Sequence, residues 1–483
     1  MEKKKLIFFG KRSRIVNGAS VRIIMRQIVM HQGKGKRMAW YEEAVFYHIY
    51  PLGLLRAPEY NEHCAPTHRL QDLQEWIFHM KDCGFTALYL GPCFSSGSHG
   101  YDTSDYRKVD ERLGDNNDLK EFVRMCHNEG IRVILDGVFN HTGREFFAFQ
   151  DLKENRENSR YRNWYSNVNF WGNNSFDDGF SYDNWGGHDL LPKLNLYEPE
   201  VRNYHFDTIR FWVSEFDIDG LRLDAADVLE QDFMRELRGL AGGLQGGSAG
   251  GPKEDFWLMG EVIHGEYGRW VNEHALHSVT NYALHKALYS GHNDHNYFEI
   301  AHTIRRERDM GLGDSVHLYD FVDNHDVERI MTKLNDKRHF LPVHVLLYTL
   351  PGIPSGYYGS EFGLEGKKEW GSDASLRPAL SLAELKSQEN TCLQIIKSLG
   401  EIYKAQNALW YGEYREMDLT NTRYAFMRGD VLITVTNSDA EEWFDLGLDG
   451  AYVGALHGRE IESDNGRLRF TLEGNSAEIW IPA

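Results

Sequence analysis

Four short stretches of the chain close an apolar run with ionisable side chains: Asp136-Gly-Val-Phe-Asn140-His141, Arg222-Leu-Asp224, Gly260-Glu261-Val-Ile-His264 and Phe321-Val-Asp323-Asn-His325-Asp326. Acids, imidazoles and a guanidinium gathered in one cleft are the materials of nucleophilic and general acid–base catalysis. The segment GLRLDAADV, residues 220–228, carries the pattern in its shortest form. Read as a strand, it turns Arg222 and Asp224 to one face and Leu221 and Leu223 to the other. Taken singly, the pair is an ordinary salt bridge closing a strand. Four such endings along one chain point instead to a shared site.

The elements that must position these groups follow from the wider pattern. From about residue 43, short apolar runs alternate with longer amphipathic stretches, the mark of strand–helix units around a parallel sheet. The pattern predicts eight strands, at 44–50, 86–90, 132–138, 220–223, 256–260, 278–282, 316–321 and 352–358. Helices are expected at 70–83, 117–128, 199–215, 232–240, 343–350 and 388–404, with Pro199 near a helix start and Gly130 past a helix end in the usual asymmetry. In an eight-stranded α/β barrel, reactive groups sit at the carboxyl ends of the strands, where these four stretches fall. The expected fold is thus a (β/α)8 TIM barrel over residues 38–407, with an insertion at 142–197 after the third strand. That insertion is crowded with Tyr161, Trp164, Tyr165, Trp171, Tyr182 and Trp185, and a long loop inside a compact domain is usually functional. Residues 242–252, rich in Gly and Ser, read as a flexible surface loop; they lack the GxxxxGK[ST] phosphate cradle. After about 408, short alternating runs separated by turn residues predict an antiparallel β-sandwich over 408–483.

Composition narrows the partners. The net charge of -19 over 483 residues argues against a nucleic acid, which needs a basic footprint. A neutral ligand fits better, and an aromatic content of 13% makes a site built from flat side chains plausible chemistry. Five cysteines, at 64, 83, 93, 126 and 392, show neither CxxC spacing nor dense pairing and read as reduced thiols of a cytoplasmic protein. No run approaches the roughly 20 apolar residues of a membrane span. Residues 1–37 are basic and lack the apolar core of a signal peptide. They are expected to be a disordered tail, or untranslated, with Met38 as the start.

The four stretches resemble, in order and spacing, the four signature regions of the α-amylase family of retaining glycoside hydrolases, glycoside hydrolase family 13. Three further stretches agree: His99-Gly-Tyr101-Asp102-Thr-Ser-Asp105-Tyr106, Leu191-Pro-Lys193-Leu-Asn195 and Pro351-Gly-Ile-Pro-Ser-Gly-Tyr-Tyr-Gly359. The resemblance runs from about residue 41 to 483. It implies that Asp224 is the nucleophile, Glu261 the acid/base and Asp326 the third carboxylate, which grips sugar hydroxyls. It also implies that His141 and His325 bond those hydroxyls and that Tyr101 lies under the reacting ring. Arg222 is expected to keep Asp224 ionised, whereas Glu261, behind the apolar 256–259, is expected to hold its proton. Asp373 and Arg377 resemble an Asp-Pro-x-x-Arg element that blocks or clasps the non-reducing end of the chain in enzymes acting on short oligosaccharides, with Ala374 where the family has proline. Asn140 matches a structural calcium ligand of many amylases; relatives with short insertions often lack that ion, and no cofactor or metal is expected here. His274 with His277, and His292 with His295, have ligand-like spacing but no carboxylates to complete a site.

The Leu-Pro-Lys-Leu-Asn element resembles that of the neopullulanase, cyclomaltodextrinase and maltogenic amylase group. That group usually carries an N-terminal β-domain, which the roughly 40 residues available here cannot form, and it favours Trp where this chain has Ile263. Ala225 leans toward α-1,4 bonds, and Asp227-Val228 replace the Lys-His pair of many endo-acting amylases. The resemblance therefore implies a cytoplasmic hydrolase of maltooligosaccharides or cyclodextrins, yielding maltose and glucose, with oligomeric state open. A 4-α-glucanotransferase or α-glucosidase would use the same residues, and a non-catalytic amylase-like sugar-binding protein would keep the fold without the acids.

Overall fold

Period-two alternation of side-chain direction gives each of eight short strands two buried faces, one for the inside of a barrel and one for the surrounding helices. The computed structural model describes residues 38–246, 251–313 and 317–483; the basic segment 1–37 lies outside the described residues. The strands are β1 (Phe46–Ile49), β2 (Ala87–Leu90), β3 (Arg132–Gly137), β4 (Gly220–Leu223), β5 (Trp257–Gly260), β6 (Ser278–Val279), β7 (Tyr319–Phe321) and β8 (Ile353–Tyr357). They form one sheet in the order β6-β5-β4-β3-β2-β1-β8-β7, with parallel pairing throughout. A parallel bridge from Thr280 to Tyr319 closes the sheet into a barrel.

Phe46, Tyr89, Ile134, Trp257, Met259, Tyr319, Phe321 and Ile353 pack together inside the barrel. Tyr47, Ile49, Leu88, Leu90, Val133, Leu135, Leu221, Leu223 and Leu258 face outward and join the helical layer. Each fully buried Leu, Ile or Val contributes about 1.5–3 kcal/mol, so a one-residue slip of β4 is excluded. Since Leu221 and Leu223 take the outer face, Arg222 must point inward, in register with Met259 of β5.

The outer layer contains α1 (Gln74–Asp82), α2 (Asn116–Asn128), α3 (Pro199–Phe216), α4 (Gln231–Ala241), α5 (Tyr282–Asn293), α6 (Tyr297–Asp309), α7 (Phe340–Thr349) and α8 (Thr391–Ala405). Pro199 opens α3 behind the Glu198 cap, and Gly130 follows α2 at φ 78°, as the sequence predicts.

Two expectations are corrected near β6. The strand expected at 278–282 ends at Val279, because the Asn281 side chain accepts the Leu284 N–H and starts α5 at Tyr282. Consequently two helices, α5 and α6, lie between β6 and β7, neither of which the sequence reading anticipated. The strand expected at 316–321 begins at Tyr319, and residue 316 lies outside the described residues. Of the glycine-rich stretch 242–252, Gln245–Gly246 pairs with Gly251–Pro252 as a short hairpin; residues 247–250 lie outside the described residues.

Residues 414–482 form β9 (Tyr414–Leu419), β10 (Arg423–Arg428), β11 (Val431–Thr436), β12 (Glu442–Leu446), β13 (Ala451–Gly454), β14 (Glu460–Glu462), β15 (Leu468–Leu472) and β16 (Ala477–Pro482). A six-stranded antiparallel sheet, β9-β10-β11-β16-β13-β14, faces the β12-β15 pair. Their shared core includes Leu432, Phe444, Leu446, Phe470 and Trp480, with the Phe470 and Trp480 rings 5.0 Å apart. Among the described residues, no helix is long and apolar enough to cross a membrane.

Candidate active site

The barrel register carries Asp224 and Glu261 to the same level. The Glu261 N–H donates to the Leu223 carbonyl at 2.9 Å, extending the β4–β5 ladder one step beyond its last named pair. The Asp224 N–H donates across to Gly137 of β3 at 3.1 Å. Gly260 is required at this crossing, because a Cβ there would lie 2.7 Å from the Ala226 Cβ and 2.5 Å from Leu276. The chain then leaves β4 through Ala225 in a left-handed conformation, φ 46° and ψ 44°, a strained backbone for a non-glycine residue.

Arg222 is the hub of the site. Its Nη1 donates to Asp136 Oδ1 and to Asp224 Oδ1, each at 2.8 Å, while its Nη2 lies 2.9 Å from Glu261 Oε2. Asp136 also accepts from the Tyr89 hydroxyl at 2.7 Å and the Tyr101 hydroxyl at 3.1 Å. Burial works against the Arg222 charge, but Asp136 and Glu261 outweigh it and hold the guanidinium protonated. Both carboxylates therefore border one cation at the mouth of one barrel.

This arrangement corrects the expectation for Asp224. Burial pushes its carboxyl above the ordinary range; Arg222 pulls it back, but the nearby Glu261 and Asp136 charges push the same way as burial. One guanidinium thus faces three carboxyl groups in a buried site. Nor are the surroundings of Asp224 and Glu261 opposed, as the sequence suggested, since Arg222 touches both. Glu261 additionally accepts the Ala225 N–H at 3.1 Å and lies 3.4 Å from the Tyr282 hydroxyl.

On the β7 side, His325 stacks between Tyr50 and Tyr101, with ring centroids 5.8 and 5.7 Å away. Its Nε2 lies 2.5 Å from the Tyr101 hydroxyl and 3.0 Å from Asp326 Oδ2. The other Asp326 oxygen accepts from Arg377 Nη2 at 2.8 Å, and the same nitrogen reaches Asp373 Oδ2 at 3.1 Å. Burial would raise the Asp326 carboxyl, yet His325, Arg377 and Arg222 together bring it far below the carboxylate range. Asp373 and Arg377 are thus joined to Asp326 and are not an isolated surface pair. The short turn is fixed by Asn324, whose Oδ1 accepts the Asp326 and Val327 N–H groups.

His141 is buried, and burial together with His99 pushes it down to about 3 against a weaker upward pull from the Tyr101 carbonyl. It is a neutral imidazole whose Nε2–H donates to that carbonyl at 3.1 Å while its Nδ1 accepts from Asn140 Nδ2 at 3.2 Å. The nine expected residues, Tyr101, His141, Arg222, Asp224, Glu261, His325, Asp326, Asp373 and Arg377, therefore meet in one connected network. Four others belong to it that the sequence reading did not assign: Asp136, Tyr89, Tyr282 and Tyr50. Asp136 lay in a recognised stretch; the three tyrosines sit in ordinary apolar runs that carry no separate signal.

A cleft of about 320 Å³ opens beside Glu261, lined by Asn140, Trp185, Lys193, Asp227, Val228 and Ile263 among others. Asn140 Oδ1 is buried without a hydrogen-bond partner, the one feature that would suit a cation. Calcium takes six to eight oxygen ligands. Here Lys193, a cation, shares the cleft with Asn140, and the one group of three His, Cys, Asp or Glu ligands among the described residues is His68, Asp115 and Asp118, elsewhere in the chain. The donor set around Asn140 does not fit calcium. In the two histidine pairs with ligand-like spacing, His277 Nδ1 accepts the Leu258 N–H, and His292 Nδ1 bonds the Leu288 carbonyl.

Comparison with known proteins agrees with this geometry. The family model described as alpha amylase, catalytic domain, matches residues 69–410. A cyclomaltodextrinase of Thermoanaerobacter pseudethanolicus is 31% identical over 423 residues, 85% of this chain and 70% of its own. An intracellular maltogenic amylase of Bacillus subtilis is 30% identical over 363 residues, 74% of this chain and 58% of its own. The ligand-free cyclic α-maltosyl-(1→6)-maltose hydrolase of Arthrobacter globiformis superposes with a TM-score of 0.76 at 26% identity, covering 93% of this chain and all of that one. The chain belongs to the α-amylase family of glycoside hydrolases.

Proposed function

We propose that this α-glucan hydrolase cleaves α-1,4 bonds of maltooligosaccharides and cyclodextrins, releasing maltose and glucose by double displacement. The observation that carries the reading is the pairing of Asp224 and Glu261 on one Arg222 guanidinium. Retaining hydrolysis needs two carboxyl groups about 5 to 5.5 Å apart. In the first step Asp224 attacks the anomeric carbon, the glycosidic C–O bond breaks, and Glu261 gives its proton to the leaving oxygen. In the second, Glu261 takes a proton from water, which attacks the same carbon and frees Asp224. Asp326, held by Arg377 and His325, would grip the hydroxyls of the reacting sugar, and Tyr101 would lie beneath it; such contacts accelerate only as they tighten in the transition state.

Glu261 marks the leaving side. The cleft holding Trp185, Val228 and Ile263 therefore takes the departing sugar, and the side of Asp326, Asp373 and Arg377 takes the sugars retained on Asp224. No metal is needed for either step. Five free thiols, and the relative named as intracellular, support work in the cytoplasm.

Digests of maltotetraose, β-cyclodextrin, pullulan and starch, separated by chromatography, test the substrate reading. Maltose and glucose from the first two, ahead of starch, are expected. Products longer than the substrate as the main outcome with maltotriose would assign a glucanotransferase instead.

A further inference from the structure

The segment after β8 returns to the catalytic groups as a narrow hairpin. Glu369 and Ser372 bridge its arms, and Trp370 with Gly371, at φ 73°, forms its tip. At the base, Lys368 Nζ donates to the Asp326 carbonyl at 3.1 Å and lies 3.3 Å from Asp373 Oδ1; its backbone N–H reaches Glu328 Oε1 at 3.3 Å. The hairpin is thereby fixed to two residues on the retained side of the cleft. Its tip holds a tryptophan that is completely exposed and makes no ring contact among the described residues.

A bare indole on a tethered tip is unusual, because aromatic side chains normally bury 150–250 Å² and dominate the contacts they enter. We infer that Trp370 is a stacking platform for the third glucosyl unit on the retained side, outward from the units held by Asp326 and by the Asp373–Arg377 pair. The occupant follows from continuity. Lys368 joins the hairpin to Asp373, so a chain that extends past the Asp373–Arg377 pair, rather than ending at it, would run toward the indole. A glucosyl ring offers an apolar C–H face to the indole, and its hydroxyl rim suits the Lys368 ammonium and the Glu369 carboxylate beside it. Trp370 would thus set how many sugars the enzyme reads on the non-reducing side. The inference rests on the hydrolase reading given above.

The test uses three aryl substrates, the 4-nitrophenyl α-glucoside, α-maltoside and α-maltotrioside, in which aryl release reports one, two or three retained sugars. For Trp370→Ala, kcat/KM is expected to fall about tenfold on the maltotrioside, the scale of one aromatic contact, and by less than about twofold on the shorter two. Trp370→Phe should recover most of the loss, and Tm should not move, since the indole supports no packing. An equal loss on all three substrates, or no loss on the maltotrioside, overturns the inference. Wild-type enzyme that cleaves no bond in any of the three, aryl or inter-glucosyl, by chromatography of the products would instead overturn the hydrolase reading and this inference with it.

Discussion

Glu261 Oε2 lies 3.1 Å from the backbone nitrogen of Ala225, so the side chain at the end of β5 is bonded to the backbone that presents Asp224 at the end of β4. Ala225 itself takes a left-handed conformation, which turns the chain out of β4 just after that N–H. Two carboxyl groups from neighbouring strands are thereby locked to one another twice, through Ala225 and through Arg222. The geometry of the pair is a property of the barrel register.

Replacing Glu261 by Gln keeps the shape and removes the proton carrier. Turnover of maltotriose is expected to fall by about 10² to 10⁴-fold, the range for loss of a general acid or base. Its dissociation constant, read by calorimetry, should change by less than about threefold. Unchanged turnover would remove Glu261 from the mechanism.

Arg222→Lys tests the hub. A lysine is a point charge and cannot span two carboxyl groups as the guanidinium fork does. Leaving buried acids without a partner costs about 3–5 kcal/mol, so a lower Tm should accompany a fall in kcat. If stability drops while kcat holds, Arg222 is a structural residue alone.

Arg377→Met should alter substrate grip and acid tolerance together. The Asp326 carboxyl is lowered by His325 and Arg377 against the effect of burial, so its ionised form persists as pH falls. Removing Arg377 raises it toward the ordinary value. The acid limb of kcat/KM is then expected to move to higher pH, with KM raised more than kcat is lowered. An acid limb in the same place would show that Asp326 does not govern it.

A second titration lies outside the site. Asn281 Nδ2 bonds both Glu307 Oε1 and Asp320 Oδ1 at 2.9 Å, and both acids are buried. Burial raises the pair, Glu307 to about 8, with Asn281 pulling it down. A carboxyl raised in the folded state keeps a proton that the unfolded chain loses above about 4.5. Stability therefore declines from about pH 4.5 to about pH 8. Glu307→Gln should flatten that decline and raise Tm at pH 8 by at least about 2 °C. Melting curves of the two proteins that fall in parallel with pH would contradict the assignment.

Much of this site was legible in the sequence, for reasons visible at single residues. Strict alternation in β4 put Arg222 and Asp224 on one face and Leu221 and Leu223 on the other, and packing of the leucines against the helices makes the first face the inner one. The ends of β3, β5 and β7 followed from the same barrel geometry. Tyr282 was not legible: it closes the stretch Ser278-Val-Thr-Asn-Tyr that reads as a strand, and only the cap at Asn281 starts a helix there whose tyrosine reaches Glu261. The surroundings of Asp224 were only partly legible for a related reason. Sequence shows that Arg222 is near, but it does not show that Asp136 and Glu261 share the same guanidinium.

The central claim is that Asp224 forms a covalent bond to the sugar, and Glu261→Gln offers the direct test. A maltosyl fluoride needs no acid to lose fluoride, so the first step can proceed in that variant, while the second lacks its base and the intermediate accumulates. Mass spectrometry of the quenched, digested protein should find one maltosyl group on the peptide containing Asp224. A protein that consumes the fluoride with no adduct, or with the sugar on another carboxyl group, would contradict the account.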